Sequence, residues 1–310
     1  MSAADFLDHG PLAFPVTPFG ADGTLDVSTF RAHLGWMLSY RPPALFVACG
    51  TGEFASLDAD EVARLVEAAV AEAGDDIPVY AGVGHGLGVA KQFARVAEDA
   101  GASGLLVLPP YLVRGEQSGL LDYYRRLANE TSLPMILYQR DTAVFEPETV
   151  AELASIPNVV GLKDGLGDIE RVQSIVQSVG SGLTYFNGMP TAETFQPAYA
   201  ALGVPHYSSA VFNFVPEVAW AFYRASREGD RQTADRLLDG FFLPFARLRN
   251  RVRGYAVALV KAGVSIRWGS VGAVRPPLVD VRDEHARILA DLVARGCELV
   301  GVAPDPRASS

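Results

Sequence analysis

The chain has 310 residues, 49% hydrophobic and 20% charged, a water-soluble composition that supports one large buried core or two small ones. Its formal net charge of -10, with no Lys/Arg cluster, excludes a nucleic-acid surface. Its two cysteines, Cys49 and Cys297, form no CxxC pair and have no histidine at ligand spacing, which argues against a metal site or a disulfide framework and predicts two reduced, buried thiols.

The chain opens with Asp5, Asp8 and His9 where a targeting segment would carry a basic region followed by an apolar one. No apolar run approaches membrane-spanning length. These features predict a cytoplasmic protein with no membrane partner.

Leu12 to Val16 reads as a strand ending at Thr17-Pro18-Phe19, and Gly20 to Gly23 as a turn. Asp26 is placed to cap a helix running to about Tyr40. Ala44 to Cys49 is an apolar run that stops at Gly50-Thr51-Gly52-Glu53, after which Asp58 opens a helix through Ala73. The same strand, loop and helix unit recurs. Val79 to Gly82 precedes a helix from Val89 to Ala100, Gly104 to Leu108 one from about Glu116 to Glu130, and Met135 to Tyr138 one from Pro147 to Ser155. Val159 to Lys163 precedes a helix from Asp168 to Val179, Leu183 to Asn187 one from Thr191 to Leu202, and His206 to Ala210 one from Pro216 to Arg227.

Eight such units are complete by about residue 228. Alternating apolar strands and amphipathic helices imply parallel strands with right-handed crossovers, and eight of them close into a (β/α)8 TIM barrel. The competing architecture is a doubly wound open sheet; the count, and the lack of a GxGxxG after the first strand, favour the barrel. Beyond it, Arg231 to Arg251, Tyr255 to Ala262 and Asp283 to Arg295 read as additional C-terminal helices, with Trp268 to Pro277 as a connector and Ala303 to Ser310 as a frayed tail. The expected organisation is a barrel over residues 1–228 with a helical extension over 229–310 packed on it, as one structural unit.

In such a barrel the reactive groups lie at the C-terminal ends of the strands. The strand-end residues are Thr17, Gly50 to Glu53, His85, Pro110 and Tyr111, Tyr138, Lys163, Asn187 and Gly188, and Ser208 and Ser209. No three of them suit a metal. The ring has no paired carboxylates for glycoside hydrolysis and no histidine beside a serine or cysteine nucleophile. Lys163 stands apart because it closes the apolar run Val159-Val160-Gly161-Leu162. An amine at the rim of an apolar cavity is disfavoured in its charged form, and the free amine can attack a ketone to give a Schiff base. With Tyr138 on the neighbouring strand and a glycine-threonine loop, the ring holds an amine, a phenol to move protons and backbone N–H groups for an anion. Each member also has a plainer reading: Lys163 as the end of an edge strand, Tyr138 as a rim aromatic, Gly50 to Glu53 as a βα turn, Ser208 and Ser209 as strand caps.

Five stretches in order carry a resemblance. Gly50-Thr51-Gly52-Glu53, Pro110-Tyr111, Leu137-Tyr138, Gly161-Leu162-Lys163-Asp164 and Arg275-Pro276-Pro277-Leu278 resemble the dihydrodipicolinate synthase and N-acetylneuraminate lyase family, from about Gly10 to Leu292. The resemblance implies a (β/α)8 barrel, a class I Schiff-base lysine at Lys163, a proton-shuttling tyrosine at Tyr138, no metal or organic cofactor, and a homotetramer built as a dimer of dimers. The chain departs from the synthases at three places. Gly50 stands where they have the first of two threonines, Leu112 where they have a second tyrosine, and Ala143 where they have an arginine five residues after the shuttling tyrosine.

Tyr138-Gln139-Arg140-Asp141, Tyr207 to Phe214 and Gly50 to Phe54 look instead like the 5-dehydro-4-deoxyglucarate dehydratase branch, which usually has Asn in place of Gln139. That branch implies dehydration and decarboxylation of a sugar acid to 2,5-dioxopentanoate. It implies Lys163, Tyr138 and Thr51 as catalytic residues, and Gly50, Gly52, Gly188, Ser208, Ser209 and Asn213 as substrate-binding ones. The alternatives are a 2-keto acid lyase of the same family that releases pyruvate, and a noncatalytic ligand-binding barrel in which Lys163 is an ion-pair partner.

Overall fold

Eight short apolar runs become strands because each is covered on both faces, by the barrel interior on one side and by helices on the other. In the computed structural model, which describes residues 9–304, the strands are β1 (Leu12–Ala13), β2 (Leu45–Val47), β3 (Val79–Val83), β4 (Gly104–Val107), β5 (Met135–Gln139), β6 (Val159–Asp164), β7 (Thr184–Asn187) and β8 (His206–Ser209). They pair in parallel in sequence order and close β8 onto β1 as a barrel. Asp5 and Asp8 lie outside the described residues, as does most of the tail expected to fray. Two residues of that tail, Ala303 and Pro304, are described and are held: both carbonyls accept from Nη1 of the buried Arg267, at 3.0 and 2.9 Å.

The helices alternating with the strands are α1 (Val27–Leu38), α2 (Ala59–Ala73), α3 (Leu87–Asp99), α4 (Gln117–Ala128), α5 (Pro147–Ala154), α6 (Ile169–Val179), α7 (Gln196–Ala201) and α8 (Pro216–Glu228). Their starts follow local chemistry. Asp26 accepts from the Thr29 N–H, Asp168 from the Arg171 N–H, and Asp58 forms a reciprocal capping box with Glu61. The helix expected from Thr191 to Leu202 is instead a 3₁₀ turn, Ala192–Thr194, followed by the short α7. Pro197 accounts for the break, since it has no N–H to offer the turn behind it and its ring crowds that turn's carbonyl.

Strand alternation sorts the core into two layers. Leu12, Phe14, Phe46, Tyr80, Leu106, Ile136, Tyr138 and Phe186 point into the barrel and form one buried cluster. The intervening residues, such as Leu45, Val47, Leu105 and Leu137, pack against the helices in the larger one. Inside the barrel, Phe14 stacks on Phe46 at 4.6 Å between centroids and Phe46 on Tyr80 at 4.9 Å. The barrel is therefore filled through its middle and open only at its end.

The C-terminal segment expected as one helix from Arg231 to Arg251 runs in three pieces: α9 (Arg231–Leu237), a π-helical turn (Leu238–Phe242) and α10 (Leu243–Arg249). Pro244 lacks the N–H that a regular helix would aim back at the Gly240 carbonyl, and the widened turn sits just ahead of it. The last two helices, α11 (Tyr255–Arg267) and α12 (Asp283–Leu299), extend beyond the ends expected for them. The connector between them is tied back to the β2 loop. Arg275 donates its backbone N–H to Glu53 at 2.9 Å and its guanidinium to Glu61 and to the Ser56 carbonyl.

Candidate active site

The register places Tyr138 beside Lys163 and Gln139 beside Asp164 across β5 and β6. Parallel neighbours point the same way, so Tyr138 and Lys163 face the barrel mouth while Gln139 and Asp164 face the helices. The mouth holds a cavity of about 380 Å³ whose wall includes Gly50, Thr51, Tyr138, Arg140, Lys163, Gly188, Ser208 and Arg249.

Lys163 is only 6% exposed. Its Nζ lies over the Tyr138 ring at 4.0 Å and the Phe14 ring at 4.7 Å, and no carboxylate lies within ion-pair distance of it among the described residues. Gly188 leaves the space that its stem occupies: a Cβ there would come within 2.8 Å of Lys163 Cγ and 2.9 Å of its Cε. The Tyr138 hydroxyl donates to the Gly188 carbonyl at 2.9 Å and accepts from Arg140 Nη1 at 3.2 Å. Gly165 makes room for that phenol in the same way, with Tyr138 Oη 2.8 Å from where its Cβ would stand. The Tyr138 oxygen is also the first cause holding the Arg140 guanidinium above its ordinary range, ahead of Asp141.

Behind the sheet, Asp164 is fully engaged. It accepts from Gln139 Nε2 at 2.9 Å, from the Tyr199 hydroxyl and from the Gly167 N–H at 3.1 Å. Gln139 in turn accepts from the Phe145 N–H at 2.9 Å. This outward pair stiffens the ends of β5 and β6, and so fixes where the two inward side chains stand.

The β2 loop is held from below. Glu53, in the left-handed region at φ 58°, pairs with the buried Lys261 at 2.6 Å. Burial lowers the Lys261 pKa and the Glu53 charge opposes that shift. Thr17 Oγ1 donates to the Gly52 carbonyl at 2.7 Å. Glu53 and Gly52 thus position the loop, while Gly50 and Thr51 form its cavity face.

Not every strand-end residue reaches the cavity. Ser209 points outward and donates to Glu193 Oε1 at 2.6 Å. Asn213 is buried, accepting from the Val16 N–H and donating to the Phe14 carbonyl, each at 2.9 Å, so it stitches the turn after β8 to the segment that follows β1. His85 stacks on Phe54 at 4.8 Å, and Asn187 spends its amide on Ala192 and Gln196. Gly52, Ser209, Asn213, His85 and Asn187 build the frame of the cavity and are absent from its wall.

The wall contains residues that strand-end counting did not single out. Arg140 follows Tyr138 by two residues and so faces the same side, a signal present in the sequence. Arg249 and the apolar residues Phe245, Val257 and Val260 come from the C-terminal extension, whose role in covering the mouth nothing local announced. No group of three or more His, Cys, Asp or Glu side chains able to hold a metal occurs among the described residues.

The dihydrodipicolinate synthetase family matches residues 8–295. The chain belongs to that family. It is 54% identical over 296 residues, covering 94% of each chain, to a protein of Streptomyces coelicolor (strain ATCC BAA-471 / A3(2) / M145) named probable 5-dehydro-4-deoxyglucarate dehydratase 1. It is 47% identical over 289 residues, covering 93% of this chain and 96% of the other, to a protein of Chelativorans sp. (strain BNC1) named probable 5-dehydro-4-deoxyglucarate dehydratase. Its fold is similar to the crystal structure of dihydrodipicolinate synthase from Bacillus clausii, with a TM-score of 0.87 at 23% identity, covering 94% of this chain and 98% of that one.

Within the dihydrodipicolinate synthetase family, the three departures from the synthases take definite places. A Cβ at Gly50 would meet nothing within 4 Å, so the missing side chain leaves open space beside Thr51. Leu112 is 76% exposed at the tip of the loop after β4. Ala143 is fully buried and exchanges backbone hydrogen bonds with Arg140 at 3.0 and 2.9 Å, so its place in the loop serves to hold Arg140.

Proposed function

We propose that this protein is a 5-dehydro-4-deoxyglucarate dehydratase, a Schiff-base hydro-lyase that also releases carbon dioxide and yields 2,5-dioxopentanoate. The observation that carries this reading is the Lys163 amine: buried, free of any carboxylate partner among the described residues, and facing a phenol inside a cavity. The near-half identity to proteins with dehydratase names supports the choice of reaction.

In this reading Lys163 condenses with the keto carbon and releases water. The iminium acidifies the neighbouring CH2, and removal of a proton gives an enamine that expels the β-hydroxyl. The conjugated iminium left behind accepts the electron pair of the bond to the distal carboxylate, which departs as carbon dioxide. Protonation of the resulting dienamine, hydrolysis of the imine and ketonisation of the enol regenerate Lys163 and release the product. Tyr138 shuttles protons during imine formation, with Gly188 and Arg140 fixing its hydroxyl. Thr51 and the Gly50 to Gly52 backbone hold the carboxylate beside the ketone; Ser208 and Gly188 line the path of the polar chain. Ser209 and Asn213 support that path from outside the cavity.

The barrel over residues 1–228 carries the reacting groups and the extension over 229–310 covers them, as one unit. We take the assembly to be a homotetramer in the cytoplasm, where two buried, unpaired thiols suit a reducing compartment. No helix among the described residues is long and apolar enough to cross a membrane.

The test is incubation with 5-dehydro-4-deoxyglucarate while carbon dioxide, 2,5-dioxopentanoate and pyruvate are followed, with borohydride trapping in parallel. The first two products, and reductive attachment of the substrate skeleton at Lys163 that is lost in Lys163→Ala, are expected. Pyruvate as the product would favour the aldolase reading instead. An analogue without the β-hydroxyl should form the imine yet release no carbon dioxide, because its distal carboxylate never becomes conjugated.

A further inference from the structure

The cavity wall contains two guanidinium groups, and they differ in what they already touch. Arg140 is engaged by Asp141 at 3.2 Å and by the Tyr138 hydroxyl. Arg249 donates to the Thr191 hydroxyl and, through Nε and Nη2, to the Asn250 side-chain oxygen at 3.2 and 3.1 Å. All of its partners are neutral, and no carboxylate pairs with it among the described residues. The other arginines drawn deeply into the fold have one: Arg267 pairs with Glu217 and Arg275 with Glu61. Burial costs Arg249 part of its hydration, and Glu193, whose charge opposes that loss, forms no ion pair with it.

We propose that Arg249 anchors the distal carboxylate of the substrate and is the residue that selects a diacid over a monoacid. This rests on the proposed function, in which the substrate is a linear 2-oxo diacid bound through Lys163. The carboxylate beside the ketone belongs at the Thr51 loop after β2, and the ketone carbon at Lys163 on β6. Thr191 and Arg249 stand beyond the end of β7, which is three strands round the closed barrel from β2 by way of β8 and β1. Gly188, next along the chain from β7, and Ser208, on β8, line the interval between the two ends. A six-carbon chain fixed at its keto end and running past them brings its other carboxylate to the Arg249 end of the cavity. A guanidinium offers two parallel N–H donors to a carboxylate, and Arg249 reaches that arrangement by exchanging the Asn250 oxygen for the ligand.

This grip also serves selectivity in the chemistry. It draws the carboxylate-bearing carbon to one fixed position, so the bond that breaks can be held across the plane of the conjugated iminium. The carboxylate then leaves only after dehydration has supplied the electron sink. A monoacid of equal length lacks the handle and leaves Arg249 unsatisfied.

The test compares binding of 2-oxoadipate and 2-oxohexanoate, which have the same length and differ only in the distal carboxylate, by calorimetric titration of the full-length protein. A charge-assisted pair at this site gives the wild type a preference for the diacid of about tenfold or more. Arg249→Ala should bring the two dissociation constants to within about twofold, and Arg249→Lys should keep part of the preference. Arg140→Ala should leave the ratio near that of the wild type, and circular dichroism checks that each variant is folded. Equal affinities in the wild type, a full preference surviving in Arg249→Ala, or its loss in Arg140→Ala alone would each overturn the assignment. Because the ratio is read from binding, it requires no turnover, and a failure of the dehydratase reaction would show separately in the product assay.

Discussion

Tyr138 is distinguished from the other buried tyrosines by where its hydroxyl stands. Tyr124 and Tyr207 bury hydroxyls with no hydrogen-bond partner among the described residues, whereas that of Tyr138 lies between the Gly188 carbonyl and Arg140 on the cavity wall. Removing it takes away a positioned acid-base group worth about 10²- to 10⁴-fold in rate. Tyr138→Phe should therefore lower kcat by that range with a much smaller change in KM; a variant within a few-fold of the wild type would make Tyr138 a packing residue. Glu193 offers a different kind of test. It is fully buried, its Oε2 has no hydrogen-bond partner among the described residues, and burial raises its pKa to about 7 despite the Ser209 hydrogen bond. A carboxyl raised in the fold favours folding below its ordinary value of 4.5 and loses that contribution as pH rises through about 7. The penalty at alkaline pH is on the order of 3 kcal/mol. Glu193→Gln, which stays neutral, should thus be more stable than the wild type in denaturant titrations at pH 8 and gain little at pH 5. An equal effect at both values would mean that ionisation is not what separates them.

At the scale of elements, the sequence announced starts better than interruptions. Asp26, Asp58 and Asp168 cap helices where expected, because capping depends on a few adjacent residues. Asp58→Ala removes one side of a capping box and should cost about 1 kcal/mol, read as a fall of a few degrees at most in Tm; no measurable change would mean that the Arg275 contacts alone hold the start of α2. The strands were legible as apolar runs, and Lys163 and Tyr138 as polar residues at the ends of two adjacent ones. The interruptions were not: Pro197 and Pro244 stand inside patterns that otherwise read as helix. The second matters for the site. A π-helical turn carries an extra residue, which rotates the downstream helix by about 100° relative to an unbroken α-helix. Arg249 lies beyond that turn, so its face could not be read from the periodicity of Arg231 to Arg251. The partnership of Glu53 with Lys261 was equally out of reach, since it joins residues far apart in the chain through the fold alone.

For the whole molecule, the large apolar side chains exposed among the described residues are scattered singly, with one conspicuous exception. Tyr111, Leu112 and Val113 follow one another at the tip of the loop after β4 and are 72%, 76% and 68% exposed. Single exposed apolar residues are ordinary, but three consecutive large ones make this tip the candidate contact for the proposed tetramer. The tip is also presented deliberately. Leu112 adopts φ 68°, in the left-handed region, and Thr142 Oγ1 holds the Pro110 carbonyl at 2.6 Å, fixing the base of the loop beside the cavity mouth. Each chain carries a formal charge of -10, so like copies repel at long range, and the proposed tetramer would need apolar contact such as this tip offers. We expect light scattering to give four times the chain mass for the wild type. Replacing Leu112 and Val113 by glutamate should reduce that mass by adding charge to the contact, with the far-ultraviolet spectrum unchanged because both side chains already face solvent in the single chain. A wild-type mass equal to one chain would dispose of the tetramer, and a double variant still at four chains would move the interface away from this loop.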